Sequence, residues 1–230
     1  MTSKPICFIA AREGSKGVKN KNIKIISGKP LIAHTILKSI NSGLFQDVIV
    51  STDSQKIAKI AKKFGANVPF LRPKKLANDS ATMNDVIIHA IPELQKLGYD
   101  FDILVNFDCT APFVRMIDIK NSIKLLKQAK CNTVVGAYRT HLNPYFNMME
   151  FQKNGYLKFT KKKRQRVTTR QSAPIVFQLT GFQTINVDNF LHYGRIYMPK
   201  TLPLELEQET GLMIDTKWEF DVAQSLFKKY

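Results

Sequence analysis

Residues 6–11, Ile-Cys-Phe-Ile-Ala-Ala, form an unbroken apolar run that stops at Arg12-Glu13-Gly14. Behind it, short apolar runs and helical stripes take turns along the chain. An apolar run of this length reads as a strand buried on both faces, the usual condition of a parallel sheet. Residues 31–40 carry apolar side chains at 31, 32, 36, 37 and 40, with Pro30 at the start and Gly43 just past the end, which predicts a helix. A short strand at 48–50 follows. Ile57, Ile60, Ala61 and Phe64 then fall at i, i+3, i+4 and i+7, ahead of Gly65 as a stop. The same reading gives a strand at 68–71, a helix over 83–97 kinked at Pro92, and a strand at 102–107. Met116, Ile119, Ile123 and Leu126 stripe a further helix, and a strand at 133–138 closes the series. Such alternation predicts an α/β fold, a mostly parallel sheet with helices on both faces and ligands beyond the carboxyl ends of its strands.

After Tyr138 the rhythm changes. Residues 145–151 and 156–159 flank Asn154-Gly155, a hairpin signal, and a basic run and a second β-rich stretch at 175–187 follow. This predicts a β-rich insert at about 140–187 within one domain spanning residues 1–230. The apolar residues 212–214, Asp215 and a helix over 217–227 end the chain, with the lone Trp218 read as core.

With 230 residues and 44% of them apolar, the chain can bury one sizeable core. Cys7, Cys109 and Cys131 show neither disulfide nor zinc spacing, and Arg12 interrupts the first apolar run too soon for a secretory leader. With no apolar run of membrane-spanning length, the expectation is a cytoplasmic protein without a membrane partner. The charge of +17 is focused. Residues 14–46 contain six Lys or Arg and no acid, residues 151–187 contain eight and no acid, and elsewhere 21 basic residues face 18 acidic ones. Focused positive charge recruits anions. The run Lys161-Lys162-Lys163-Arg164 reads equally as a solvated surface or as part of a site for acidic ligands.

The chemistry concentrates in Ala11-Arg12-Glu13-Gly14-Ser15-Lys16-Gly17-Val18-Lys19-Asn20-Lys21-Asn22, where glycines, a serine and cations follow the first strand. Backbone N–H groups and ammonium groups in such a loop can wrap a polyphosphate, although neither a Walker loop nor G-x-G-x-x-G is present. The segment resembles the acylneuraminate cytidylyltransferase signature, roughly P-A-R-x-G-S-K-x-x-x-x-K-N, with Arg12, Gly14, Ser15, Lys16, Lys21 and Asn22 in place and Ala10 where Pro is usual. Ser51-Thr52-Asp53-Ser54 is similar to that family's second-strand turn. The stretch from Arg72-Pro73 through Ser80 and Thr82 to His89-Ala90 is similar to its R-P-x-x-L-A-x-D block. Leu104 to Pro112 is similar to its L-L-Q-P-T-S-P turn, with Asp108-Cys109 standing for Gln-Pro. Ile214-Asp215-Thr216 matches a late I-D-[IT] element, and Thr169-Arg170-Gln171 to Thr180-Gly181 resembles R-R-Q-x-x-P-x-x-Y-x-x-N-G, with Arg170, Gln171, Pro174 and Gly181 identical.

The resemblance implies a Rossmann-like nucleotide-diphospho-sugar transferase fold with an inserted β-rich dimerisation arm. It implies a homodimer and Mg²⁺-dependent transfer of CMP from CTP to a sialic-, legionaminic- or pseudaminic-type acid. It implies catalytic roles for Arg12, Lys21 and Asp215, and nucleotide contacts for Ala11, Arg12, Gly14, Ser15, Lys16, Asn22, Arg72, Ser80, Thr82, Asp108 and Thr110. Arg170, Gln171, Phe177 and Thr180 would face the sugar acid, with Arg170 on its carboxylate. Asp215 would hold the metal, helped by Asp108 or Glu219. Several residues keep a second reading: Ser80, Thr82 and Asp215 as helix N-caps, and Asp108 as a base contact, a metal ligand or the pivot of an Asx turn. Rival functions are a cytidylyltransferase for an eight-carbon acid or a phosphonate, another NTP-dependent nucleotidylyltransferase, and a nucleic-acid-binding protein using the basic arm. The last explains the charge but not the loop around Arg12.

Overall fold

The computed structural model describes residues 4–14, 17–163 and 167–228. Ser15 and Lys16, both expected at the nucleotide, lie outside the described residues, as does Arg164 of the basic run. In chain order the strands and α-helices are β1 (Ile6–Ala10), β2 (Ile25–Ile26), β3 (Lys29–Pro30), α1 (Leu31–Asn41), β4 (Asp47–Ser51), α2 (Gln55–Lys63), α3 (Met83–Lys96) and β5 (Ile103–Phe107). They continue with α4 (Met116–Gln128), β6 (Thr133–Arg139), β7 (Met149–Phe151), β8 (Leu157–Phe159), β9 (Phe177–Asn186), α5 (Val187–Tyr193), β10 (Thr201–Glu205) and α6 (Lys217–Leu226).

Six strands make the central sheet in the order β10-β6-β9-β5-β1-β4. β1 runs parallel to β4 and β5, and β10 parallel to β6. The period-2 rule shows in β1 itself. Cys7 and Ile9 join a cluster with Ile32, Ile36, Ile57 and Ala61 of α1 and α2. Ile6 and Phe8 join the opposite cluster with Val86, Ile87, Ala90 and Ile91 of α3. The sheet is therefore covered on both faces, as the apolar runs require. α3 runs unbroken through Pro92.

Three expectations need correction. The strand expected at 68–71 is reduced to isolated bridges at Asn67 and Leu71, because Pro69 has no N–H to give a ladder. The β-rich stretch assigned to the insert is divided: β9 threads into the middle of the sheet, antiparallel to both β5 and β6. Its partner strand thins at Gly136, where a Cβ would stand 2.3 Å from the Phe182 ring, so only glycine admits that ring. The excursion from the sheet thus ends near residue 176. Asn143 ties its two roots together, donating to Pro174 O at 2.8 Å and accepting from Tyr145 N at 3.0 Å. Finally, Trp218 is 70% exposed. The buried stripe of α6 is Phe220 and Ala223, and position 218 falls on the other side of the helix.

No helix among the described residues is long and apolar enough to cross a membrane.

Candidate active site

A pocket of about 460 Å³ opens at the carboxyl ends of β1, β4 and β5. It is lined by Ala10, Arg12, Gly17, Lys21, Asn22, Arg72, Leu76, Asn78, Asp79, Ala81, Thr82, Met83, Val86, Asp108, Thr110 and Asp215. Each parallel strand delivers one piece of it. The chain leaving β1 carries Arg12, and the 3₁₀ turn Lys21–Ile23 brings back Lys21 and Asn22. Beyond β4, the backbone N–H of Arg72 bonds Thr52 O at 2.8 Å, which sets the guanidinium at the pocket wall. β5 ends in the turn that holds Asp108 and Thr110.

The loop after β1 is held from several sides. Glu13 N donates to Asp53 Oδ1 at 3.2 Å, and Asn22 Nδ2 donates to Arg12 O at 3.0 Å. Gly17 rests on the backbone of Asp215, where a Cβ would come 2.0 Å from Asp215 O. That contact excludes any side chain at 17 and brings the first loop and the last helix together.

The cations are arranged around this frame. Arg12 Nη2 lies 3.0 Å from Asp79 Oδ1, and its Nη1 donates to the carbonyls of Ala77 and Asn78. Lys21 Nζ lies 2.7 Å from Asp215 Oδ1, with the lysine side chain 13% and the aspartate 62% exposed. Arg72 is 5% exposed, and its Nε and Nη2 have no hydrogen-bond partner among the described residues. Burial depresses the affinity of this guanidinium for its proton, Asp53 opposes that, and Arg12 adds to it. A buried guanidinium with unused donors carries a standing desolvation cost that an anion would relieve.

Asp108 is in the Asx turn anticipated from its position. Its Oδ1 accepts from Thr110 N at 3.0 Å, and burial raises the carboxyl above its ordinary range against the opposing pull of Thr110 and Lys21. It lines the pocket in addition. Thr110 Oγ1 is buried there without a partner among the described residues.

The N-cap alternatives resolve differently at each residue. Thr82 caps α3 in a reciprocal box with Asp85, so its N-cap reading holds, and it also lines the pocket. Ser80 does not cap; its Oγ donates to Asn78 Oδ1 at 2.9 Å, and it is not among the lining residues. The cap of α6 is Thr216, whose Oγ1 accepts from Glu219 N. Glu219 Oε2 in return accepts from Thr216 N at 2.7 Å and Asp215 N at 2.8 Å. Asp215 is therefore not spent on capping, and Glu219, expected to assist a metal, is.

Other expected residues fall outside the pocket. Ala11 is buried in the core, its N–H on Ser51 O at 3.0 Å, and Ala10 lines the pocket instead. Gly14 faces open space. Arg170 and Gln171 lie exposed in the excursion, and Phe177 begins β9. Thr180, expected at the sugar acid, is 2% exposed and donates its Oγ1 hydrogen to Gly211 O at 2.9 Å. Sequence reasoning missed Cys109 as a support: its Sγ–H points at Asn22 Oδ1 across 3.3 Å, joining the turn after β5 to the residue that holds Arg12. A thiol in the place of a proline was the signal.

A cationic pocket at the carboxyl edge of a mostly parallel α/β sheet, with an exposed carboxylate set among the cations, defines a nucleotide-handling enzyme of the nucleotidyltransferase class. The chain belongs to the cytidylyltransferase family, whose model, described as "Cytidylyltransferase", matches residues 6–205. It is 34% identical over 229 residues to the post-translational flagellin modification protein B of Campylobacter coli, covering 99% of this chain and 96% of the relative. It is likewise 34% identical over 226 residues to the CMP-N,N'-diacetyllegionaminic acid synthase of Campylobacter jejuni, covering 96% and 94%. The pseudaminic acid cytidylyltransferase of Campylobacter jejuni is 28% identical over 225 residues, covering 98% and 97%. Among solved structures, a CMP:2-keto-3-deoxy-manno-octonic acid synthetase complexed with CTP shares the fold, with a TM-score of 0.72, 17% identity and 99% of each chain covered.

Proposed function

We propose that this chain transfers CMP from CTP to the anomeric hydroxyl of a nonulosonic acid of the legionaminic, pseudaminic or sialic type. The hydroxyl oxygen forms a bond to the α-phosphorus, the bond from that phosphorus to the bridging oxygen of the β-phosphate breaks, and pyrophosphate and the hydroxyl proton are released. The observation that carries the reading is the buried Arg72 guanidinium, unpaired at Nε and Nη2 and set with Arg12 and Lys21 around one pocket. Three cations converge there where a triphosphate spreads its charge. The names of the relatives supply the acceptor class.

In this reading Arg12, Lys21 and Arg72 take phosphate oxygens, and the turn with Asp108 and Thr110 contacts the nucleotide. The exposed carboxylate of Asp215 suits Mg²⁺ bound through substrate phosphates, since Mg²⁺ commonly takes only one or two carboxylates plus phosphates. Asp215 would hold it, while Asp108 is read as a nucleotide contact. Bound there, the ion would neutralise charge gathering on the triphosphate. The pocket residues orient the reacting groups, which accounts for much of the acceleration when two anions must meet.

Pyrophosphate release should be measured with each of the four NTPs against a panel of nonulosonic acids and 2-keto-3-deoxy-octonic acid. CTP with a nine-carbon acid is the expected pair, and turnover confined to another NTP or acceptor overturns the reading. Arg72→Met sharpens it by giving opposite signs to binding and stability. Removing a buried, incompletely paired charge is expected to leave the melting temperature unchanged or higher. CTP affinity should fall roughly 10- to 100-fold, as expected for lost hydrogen bonds to a charged group. A lower melting temperature with CTP affinity intact would make Arg72 a structural residue.

The same proposal includes a homodimer joined through the excursion, cytoplasmic in location. Phe151, Tyr156, Leu157 and Ile175 are 75%, 73%, 61% and 64% exposed, and among the described residues β7 and β8 pair only with each other. A two-stranded hairpin with that much exposed apolar surface is marginal alone and gains from a partner. Phe151→Asp with Leu157→Asp should convert a dimer to a monomer in sedimentation velocity. A parent protein that sediments as a fully active monomer would refute the dimer.

A further inference from the structure

Lys38 lies in the last turn of α1 and does not line the nucleotide pocket. Its Nζ donates to Pro112 O at 2.5 Å and to Val114 O at 2.9 Å. It forms no ion pair with any acid among the described residues. Burial pushes the ammonium down to about 8, so it is still charged at neutral pH. Setting a charge into a half-buried site with no acid in ion-pair contact is unfavourable, and a methionine would fill the same length at less cost. A role in packing alone does not explain the lysine.

The segment it grips explains it better. β5 ends at Phe107, and the chain turns back through residues 108–114. The upstream end is fixed by Asp108 N on Gly181 O at 2.6 Å and by Ala111 N on Asp108 O at 3.2 Å. At the downstream end Pro112 has no N–H to offer, and the carbonyls of Pro112 and Val114 are taken by Lys38. The segment so anchored carries Asp108 and Thr110, both in the pocket, and Thr110 O accepts from Ile214 N at 2.8 Å, one residue before Asp215.

We propose that Lys38 is a positioning residue: its ammonium clamps the carbonyls of Pro112 and Val114 and so holds the turn that presents Asp108 and Thr110 to the nucleotide. The proposal rests on reading the pocket as the CTP site. Lys38 also borders a separate cavity of about 390 Å³, whose lining includes Phe113, Phe227, Arg115 and the acids Glu207 and Glu209; Arg115 Nη1 lies 3.4 Å from Glu207 Oε1, and neither acid is ion-paired to Lys38. That cavity gives small amines a route to the clamp.

The test compares Lys38→Met, Lys38→Ala and Arg72→Met by calorimetric CTP binding without sugar acid, followed by steady-state kinetics. Lys38→Met is expected to weaken CTP about tenfold, the share of one charge-assisted hydrogen bond. Its kcat at saturating CTP and its KM for the acid should stay at parent values, the pattern of lost uniform binding. In Lys38→Ala, n-butylammonium should restore CTP affinity and n-butanol should not. Equal rescue by the alcohol means the hole, not the ammonium, matters, and overturns the clamp. So does parent-like CTP affinity in both Lys38 variants while Arg72→Met is weakened. Parent-like affinity in all three overturns the nucleotide reading and the clamp with it.

Discussion

Replacing Lys21 with methionine is expected to lower pyrophosphate release from CTP by about 10²- to 10³-fold, the usual cost of deleting one preorganised donor to transition-state charge. Nothing comparable should happen to the fold. The ammonium lies 2.7 Å from Asp215 Oδ1, but the aspartate is 62% exposed, and ion pairs open to water contribute roughly 0–1 kcal/mol. In a chain of this size that corresponds to about 4 °C of melting temperature at most. Methionine keeps the length and apolar stem of the lysine, so the packing of the 3₁₀ turn Lys21–Ile23 survives. Thermal melts beside single-turnover assays separate the two effects. A variant that loses activity only in proportion to a lost fold would return Lys21 to a structural role.

The same contact has a second consequence. Two cations of the pocket are paired within the chain: Lys21 with Asp215, and Arg12 with Asp79 and two carbonyls. Arg72 alone of the three keeps two guanidinium nitrogens without a partner among the described residues. On the proposed reading, a triphosphate would compete for Lys21 and Arg12 and would meet Arg72 already desolvated. These exposed pairs are weak enough to exchange, so they hold the side chains near their working positions at little cost in affinity.

The sequence made the first half of this site legible because its information is local. An apolar strand followed by a glycine- and lysine-containing loop names both the sheet and the place where Arg12, Lys21 and Asn22 emerge. The capping chemistry at Thr82 is equally local, needing only Asp85 three residues on. What escaped depends on distant neighbours. β9 has the alternation of a peripheral hairpin strand, and only its burial between β5 and β6 makes it central. Thr180 stands where the resembling motif has Asn, and its hydroxyl is consumed by Gly211, a partner 31 residues away. A lone Trp218 at the start of the last helix reads as core, whereas helical phase puts Phe220 and Ala223 inward. Lys38 gives no sequence signal at all, because carbonyl oxygens that accept from a lysine leave no trace in residue types. Arg170 and Gln171 carry the resemblance without reaching the pocket of their own chain, which is the arrangement expected if the excursion serves a partner.

Asp215 offers the sharpest separation of chemistry from fold. Its backbone is the floor under Gly17, and its N–H is held by Glu219, so the main chain stays fixed when the side chain changes. Thr216, not Asp215, caps α6. Asp215→Asn is nearly isosteric and should therefore melt like the parent. If the carboxylate holds Mg²⁺, the neutral amide is a weaker ligand, and the Mg²⁺ concentration for half-maximal turnover should rise by roughly tenfold or more. Turnover at physiological Mg²⁺ should fall on the order of 10²-fold, within the range for loss of a charge-stabilising group. Asp108→Gln makes the contrast. Asp108 is half-buried, with Oδ1 already used by Thr110 N, and it stands where the resembling motif has glutamine. Its replacement should move the KM for CTP and the preference for CTP over UTP while leaving the Mg²⁺ requirement at the parent value. Titrating Mg²⁺ for both variants, with CTP and UTP in parallel, separates the roles. A raised Mg²⁺ requirement in Asp108→Gln would make Asp108 a second metal ligand. An unchanged requirement in Asp215→Asn would remove Asp215 from the metal and leave it as the counter-charge of Lys21.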